Sequence, residues 1–303
     1  MRMGEIELLK RIERMLPPPG RGVALGLGDD CAIFRPAGSR DDLLFTTDLM
    51  LEDVHFLRDT HPAGAVGWKT LARGLSDIAA MGGQPRFCLL SLAIAPWTDD
   101  KWINGFYRGL LELARRTGVT LAGGDLGHAE RLAADIVVCG SVPRGQALRR
   151  DGARPGDAIW VSGRLGGAAL GLASRRGAAW RKHLQPEPRV ALGRFLRSRV
   201  HASACMDLSD GLSLDLHRLC LASGVAAELD AVPVFRGATL EQALNGGDDY
   251  ELLFTARAGA TVPESFQGAP LERIGTVRRG RAGRVLFGGR PLEPRGYDHL
   301  RPH

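Results

Sequence analysis

Apolar residues near the start of the chain recur at helical spacing. Ile6, Leu9, Ile12 and Leu16 alternate with charges, and Pro17-Pro18-Pro19-Gly20 follows, which predicts an amphipathic helix over 4–16. Trp68, Leu71, Leu75 and Ile78 form a second apolar face over 65–81, closed by Gly82-Gly83. A third helix is predicted over 99–117, ended by Gly118. Shorter apolar runs between them read as strands. These are 43–47, delivering Asp48 at its end; 87–94; 119–122, running into Gly123-Gly124-Asp125; and 134–142. A polar, turn-rich stretch over 143–157 then interrupts the pattern. Beyond it the spacing predicts a strand at 158–162, helices at 166–175, 187–199 and 210–222, and strands at 225–229, 251–256, 272–277 and 284–287. Ser209 or Asp210 is placed to cap the helix over 210–222. The fold class expected is α+β, in two mixed α/β domains, 1–148 and 149–303.

Composition adds limits. At 303 residues, 44% hydrophobic and 24% charged, the chain is long enough for two cores and is not a disordered sequence. The net charge of +6 raises the question of nucleic acid. Aromatics make up only 6%, lysine occurs only at 10, 69, 101 and 182, and the arginines are dispersed without a recognition motif, so no nucleic-acid partner is expected. Cysteines 31, 88, 139, 205 and 220 are odd in number and lack CxxC spacing, which suits reduced thiols in a cytoplasmic protein. The apolar run over 87–96 is too short to span a bilayer, so no membrane association is expected.

The candidate chemistry lies in acidic turns. Gly28-Asp29-Asp30, Thr46-Thr47-Asp48, Gly123-Gly124-Asp125, Asp207-Leu208-Ser209-Asp210-Gly211 and Gly246-Gly247-Asp248-Asp249 join aspartate to glycine or hydroxyl residues. Glycine allows tight turns and close approach, and carboxylate and hydroxyl oxygens suit hard cations such as Mg²⁺. Asp77 lies in a helix of small and apolar residues, where a buried acid needs a partner. Asp207 and Asp210, at i and i+3 around a helix start, fall to one side, and free N–H groups there suit phosphate. Each has a plainer alternative: an Asx turn at Asp30, a solvated helix face at Asp77, a helix cap at Ser209 or Asp210. No Walker A motif, protein-kinase signature, nucleophile elbow or zinc-spaced histidine cluster occurs. The pattern points to phosphoryl transfer that relies on aspartates and magnesium.

The ordered set of segments resembles the thiamine-monophosphate kinase family over nearly the whole chain. It comprises Gly28-Asp29-Asp30-Cys31-Ala32, Thr46-Thr47-Asp48, His55-Phe56, Leu75-Ser76-Asp77-Ile78-Ala79-Ala80-Met81-Gly82, Gly123-Gly124-Asp125, Met206-Asp207-Leu208-Ser209-Asp210-Gly211-Leu212, Gly246-Gly247-Asp248-Asp249-Tyr250-Glu251-Leu252 and Gly296-Tyr297-Asp298-His299. The resemblance implies ATP-dependent phosphorylation of thiamine monophosphate to thiamine diphosphate. It implies several Mg²⁺ ions, and a homodimer in which the N-terminal sheets of two copies pair into a barrel. Carried over by motif, Asp30, Thr46, Thr47, Asp48, Asp77, Asp125, Asp207 and Asp210 are the implied magnesium ligands. Tyr107, Gly124, Asp125, Arg150 and Ser209 are the implied ATP contacts, and His55, Asp248 and Tyr297 the implied substrate contacts. No residue is expected to act as a general base. The chain departs from the family's pattern at Asp248, where the usual Gly-Gly-Glu is one methylene longer. Other ATP-using members of the superfamily, a phosphate-releasing hydrolase and a non-catalytic binding protein are the competing readings.

Overall fold

In the computed structural model, which describes residues 5–297, the first predicted helix is α1, Glu5–Met15. A six-stranded sheet follows, built from β1 (Val23–Leu25), β2 (Ala32–Phe34), β3 (Asp41–Leu51), β4 (Gln84–Ile94), β5 (Thr120–His128) and β6 (Ala133–Pro143) in the order β1-β2-β3-β6-β4-β5. All neighbours are antiparallel except β4 and β5, which run parallel. That parallel step needs a crossover, and α3 (Asp100–Thr117) supplies it, with the Asp99 carboxylate accepting from the Trp102 N–H at its start.

Helix α2 (Ala63–Ala80) lies against one face of this sheet, with α3 beside it. The two helices approach until backbones touch. A Cβ on Gly67 would fall 2.0 Å from the Phe106 carbonyl oxygen, and one on Gly109 1.8 Å from that of Gly64. Leu44, Met50, Leu90, Leu92, Ile136 and Val138 fill the space beneath. Strand alternation sends every second β3 residue the other way. Leu49 and Leu89 are exposed on that outer face, and the edge strand β5 exposes Leu126.

The second half forms β7 (Ala158–Ser162), α4 (Gly167–Ser174), α5 (Gly177–Leu184), α6 (Val190–Phe195, continued by a wide turn to Val200), β8 (Ala204–Asp207), α7 (Leu212–Ala222), β9 (Ala226–Leu229), α8 (Leu240–Asn245), β10 (Leu252–Ala256), β11 (Ser265–Phe266), β12 (Ala269–Arg278), β13 (Val285–Phe287) and β14 (Arg290–Pro291). Its sheet runs β14-β13-β9-β12-β7-β10-β8, with β11 on β12. Both sheets are open in the single chain. A third apolar cluster joins the halves: Ala79 and Ala80 of α2 pack with Leu192, Leu196, Cys205 and Phe254. Five free cysteines, at 31, 88, 139, 205 and 220, are all buried. Among the described residues no helix is long and apolar enough to cross a membrane.

Several elements differ from the sequence reading. Strand β3 runs on to Leu51, so Asp48 lies within it rather than at its end. Strand β5 likewise continues through Gly123-Gly124-Asp125 to His128. Helix α7 starts at Leu212 with Gly211, not Ser209 or Asp210, in the cap position at φ +119°. The Asp215 carboxylate inside its first turn accepts the N–H groups of Asp210 and Gly211 at 3.1 and 3.0 Å. Strands β1, β2 and β8 and helices α5 and α8 were not anticipated.

Candidate active site

Helix α2 is the backbone of the site. Lys69, Arg73 and Asp77 stand one turn apart along it, so a single stripe carries two cations and an acid into the cleft between the halves. At the Asp77 end, oxygens of Asp30, Asp77 and Asp207 all lie within 4.8 Å of one another. The three come from the loop before β2, from α2 and from the end of β8. Thr46, on the inward side of β3, donates its hydroxyl to Asp77. Ser76 donates to Asp207 at 2.7 Å. Arg150, in the short helical turn Arg150–Gly152, pairs with Asp30, and its backbone N–H donates to Asp29 at 3.2 Å.

Crowded acids resist ionisation. Burial, then Asp48, Asp207 and Asp30, hold the Asp77 carboxyl well above the usual range. Burial, then Asp30, does the same for Asp207, against the hydroxyl of Ser76. Asp29 is pushed up to about 7 by burial and by Asp30. One oxygen of Asp30, Oδ2, is buried and has no hydrogen-bond partner among the described residues. Three carboxylates within reach of one point, one with an unsatisfied buried oxygen, form a donor set suited to a hard divalent cation.

Asp48 and Asp210 stand beside this group, each tied to an arginine. Arg73 Nη2 donates to Asp48 at 3.1 Å, and Arg218 pairs with Asp210. Burial, partly offset by Arg73, raises the Asp48 carboxyl, and Asp135 and Asp210 add to the rise. Burial opposes the charge of Arg73, yet Tyr250, Asp48, Asp248 and Asp77 together outweigh it and hold the guanidinium above its ordinary range.

Farther along α2, Lys69 is 2% exposed and donates to Asp248 Oδ2 at 2.7 Å. The Tyr250 hydroxyl donates to the other oxygen at 3.0 Å. Burial opposes the charge on Asp248, but Lys69 and then His183 hold its carboxyl below the usual range. His183 Nδ1 lies 3.7 Å from Asp248 Oδ2, and its Nε2 meets His61 Nε2 at 3.1 Å. His61 Nδ1 accepts the Leu57 N–H at 3.1 Å, so His61 carries its proton on Nε2 and His183 on Nδ1, facing Asp248. Burial and Lys69 pull these rings down, His61 to about 4 and His183 to about 3.

The remaining implied residues divide. Ser209 accepts the Asp248 N–H through its carbonyl at 2.8 Å, and the Tyr297 N–H donates to the Asp210 carbonyl at 3.2 Å, so both border the cleft. His55 Nδ1 accepts the Leu51 N–H at 3.0 Å in the turn after β3. Gly124 meets β4 so closely that a Cβ would lie 1.8 Å from the Leu90 oxygen. Three residues stand apart from the acid group. Thr47 points to the outer face of the sheet and donates to Asp135 at 2.6 Å, as alternation along a strand requires. Asp125 is exposed on edge strand β5. Tyr107 packs edge-on against Phe106 in the N-terminal core. Asp298 and His299 lie outside the described residues. Lys69, Arg73, Ser76 and His183 were missed by the sequence reading. For Lys69 and Arg73 the advance signal was two basic positions spaced by four before Asp77 on an otherwise apolar helix.

Known proteins resemble this chain over both halves. The family model described as AIR synthase related protein, N-terminal domain, matches residues 28–142, and its C-terminal counterpart matches 154–287. The thiamine-monophosphate kinase of Salmonella typhimurium is 36% identical over 99% of both chains. A solved structure, AaThiL complexed with AMPPCP and TMP, is 31% identical, covers 99% of both chains and superposes with a TM-score of 0.87. The thiamine-monophosphate kinase structure from Stenotrophomonas maltophilia K279a is 36% identical, covers 95% of this chain and 97% of its own, and gives 0.74.

Proposed function

We propose, since the chain belongs to the thiamine-monophosphate kinases of the AIR synthase related family, that it transfers the γ-phosphoryl group of ATP to the phosphate of thiamine monophosphate, yielding thiamine diphosphate. The observation that carries this reading is the convergence of Asp30, Asp77 and Asp207 from both halves of the chain within 4.8 Å.

The acceptor is a phosphate monoester whose second pKa is about 6, so at pH 7 it is already mostly a dianion and needs no general base. An acceptor oxygen forms the new bond to the γ-phosphorus while the bond from that phosphorus to the β–γ bridging oxygen breaks, and ADP leaves with the electron pair. The obstacle is charge: two unit charges at ~4 Å repel by about 4 kcal/mol at an effective dielectric of 20. Magnesium fits the donor set of Asp30, Asp77 and Asp207, with Asp48 and Asp210 flanking, and when bound supplies charge neutralisation between the two phosphates. The chain's own work is positional. Thr46 and Ser76 fix the rotamers of Asp77 and Asp207, and Arg150 holds Asp30 while presenting its guanidinium edge to phosphate oxygens.

Tyr107, Gly124, Asp125, Arg150 and Ser209 are proposed ATP contacts, and His55, Asp248 and Tyr297 substrate contacts. Thr47 and Asp125, implied as metal ligands, lie off the acid group in the single chain. A homodimer is proposed through the N-terminal sheet, whose exposed Leu49 and Leu89 and bare edge strand with Leu126 favour a second copy. The domain division proposed is 1–148 and 149–303, and the compartment the cytoplasm, in keeping with five unpaired thiols.

A coupled assay of ADP release, with product separation by chromatography, tests the activity. ADP and thiamine diphosphate are expected in equal amounts, and only with thiamine monophosphate present. ADP release without acceptor, or with an aminoimidazole ribonucleotide precursor instead, refutes the assignment.

A further inference from the structure

The cleft contains a buried cation with two nitrogens left unpartnered. Arg73 projects from α2 with its side chain 11% exposed. Its Nη2 donates to Asp48 at 3.1 Å, but Nε and Nη1 are buried without hydrogen-bond partners among the described residues. Leaving charged donors unsatisfied in the interior is costly, so a guanidinium with two such nitrogens is a site prepared for an acceptor from outside the chain.

Its surroundings identify the side of the reaction it serves. The strongest acidic neighbours of Arg150 are Asp30, Asp29 and Asp207. Those of Arg73 are the carboxyl groups of Asp48, Asp248 and Asp77. Arg150 thus pairs with Asp30 of the acid group, whereas Arg73 stands on α2 between Asp77 and the Lys69 that holds Asp248. Lys69, one turn away, has one of its three donors engaged by Asp248 at 2.7 Å. A planar fork with free N–H groups matches carboxylate or phosphate oxygens, and the acceptor proposed above carries a phosphate.

We infer that Arg73 receives the phosphate of the acceptor and holds it opposite the nucleotide for attack. The inference rests on the acceptor being a phosphate monoester, as argued above. It makes the α2 stripe a divided track, with Asp77 on the metal side, Arg73 on the phosphate and Lys69 fixing Asp248 beyond it.

The test compares thiamine monophosphate with thiamine, which lacks the phosphate. Both are titrated calorimetrically into wild-type protein and R73M with Mg²⁺ and a non-hydrolysable ATP analogue present. R73M should bind thiamine monophosphate about 10- to 100-fold more weakly, the scale of losing charged hydrogen bonds, while thiamine affinity stays within about twofold. R73K should recover part of the loss, since it restores charge without the fork. Equal weakening of both ligands, or unchanged thiamine monophosphate binding, overturns the inference. Should R73M not fold, R73Q is read by the same ratio. Failure of the wild-type protein to bind thiamine monophosphate overturns the kinase reading itself, before any variant is made.

Discussion

Asp207→Asn should separate stability from activity. Asp207 is 2% exposed, and its oxygens lie within 4.8 Å of those of Asp30 and Asp77. Like charges ~5 Å apart repel by about 3 kcal/mol at an effective dielectric of 20. Burial and Asp30 raise this carboxyl well above its ordinary 3.8. Without a cation the folded protein therefore keeps a proton there to higher pH than the unfolded chain does. The native state binds more protons than the unfolded one, so stability falls as pH rises above about 4. Asparagine is neutral and keeps an oxygen for the Ser76 hydroxyl, although it forfeits attraction to Arg150. In chelator at pH 7, D207N should be more stable than wild type by about 1–3 kcal/mol, a gain of several degrees in Tm that vanishes near pH 4. With magnesium the wild type should regain the lead, and D207N turnover should be lower by about 100-fold or more, as expected when pre-organised transition-state stabilisation is removed. Thermal melts across pH, with and without EDTA, and a coupled ADP assay measure both effects. A variant less stable than wild type in EDTA at pH 7, or one with near-normal turnover at ordinary magnesium, refutes the reasoning.

Three further outcomes are expected. Asp48→Asn should retain the fold and lose most turnover, with partial recovery at excess Mg²⁺ seen in a magnesium titration of rate; unimpaired turnover counts against a metal role. The buried His61–His183 pair, held near 4 and 3, stays neutral where unfolded rings protonate near 6.5, so stability should fall as pH drops through that window, by about 2 kcal/mol per ring at pH 5; urea titrations should show H183Q flattening this slope by roughly half. Lys69→Met should cost about 2–3 kcal/mol in the same urea assay, because it strips Asp248 of its ammonium partner while leaving the carboxylate in the cleft.

Much of this arrangement was legible in the sequence. Helical periodicity located α1, α2 and α3 within a few residues of their observed ends, the aspartate-glycine turns pointed to Asp30 and Asp207, and an acid within an apolar helix pointed to Asp77. What escaped has physical causes. Strand β8 is four residues, Ala204–Asp207, buried on both faces, and so has no alternation to read. Thr46 and Thr47 are neighbours of one type, and only strand register tells which faces Asp77 and which faces Asp135. Lys69, Arg73 and His183 acquire their roles from partners as far off as Asp248, a distance over which local pattern carries no information.

The buried thiols have a practical consequence. Cys31 follows Asp30 directly, and Cys205 lies on β8 two residues before Asp207. Burial first, and then the neighbouring acids, raise both thiols well above their usual range, so neither forms appreciable thiolate in the intact molecule. An alkylating reagent then has nothing to attack until the cleft opens. The rate at which these two positions become labelled is a built-in clock for that opening, and any ligand that draws the two halves together should slow it.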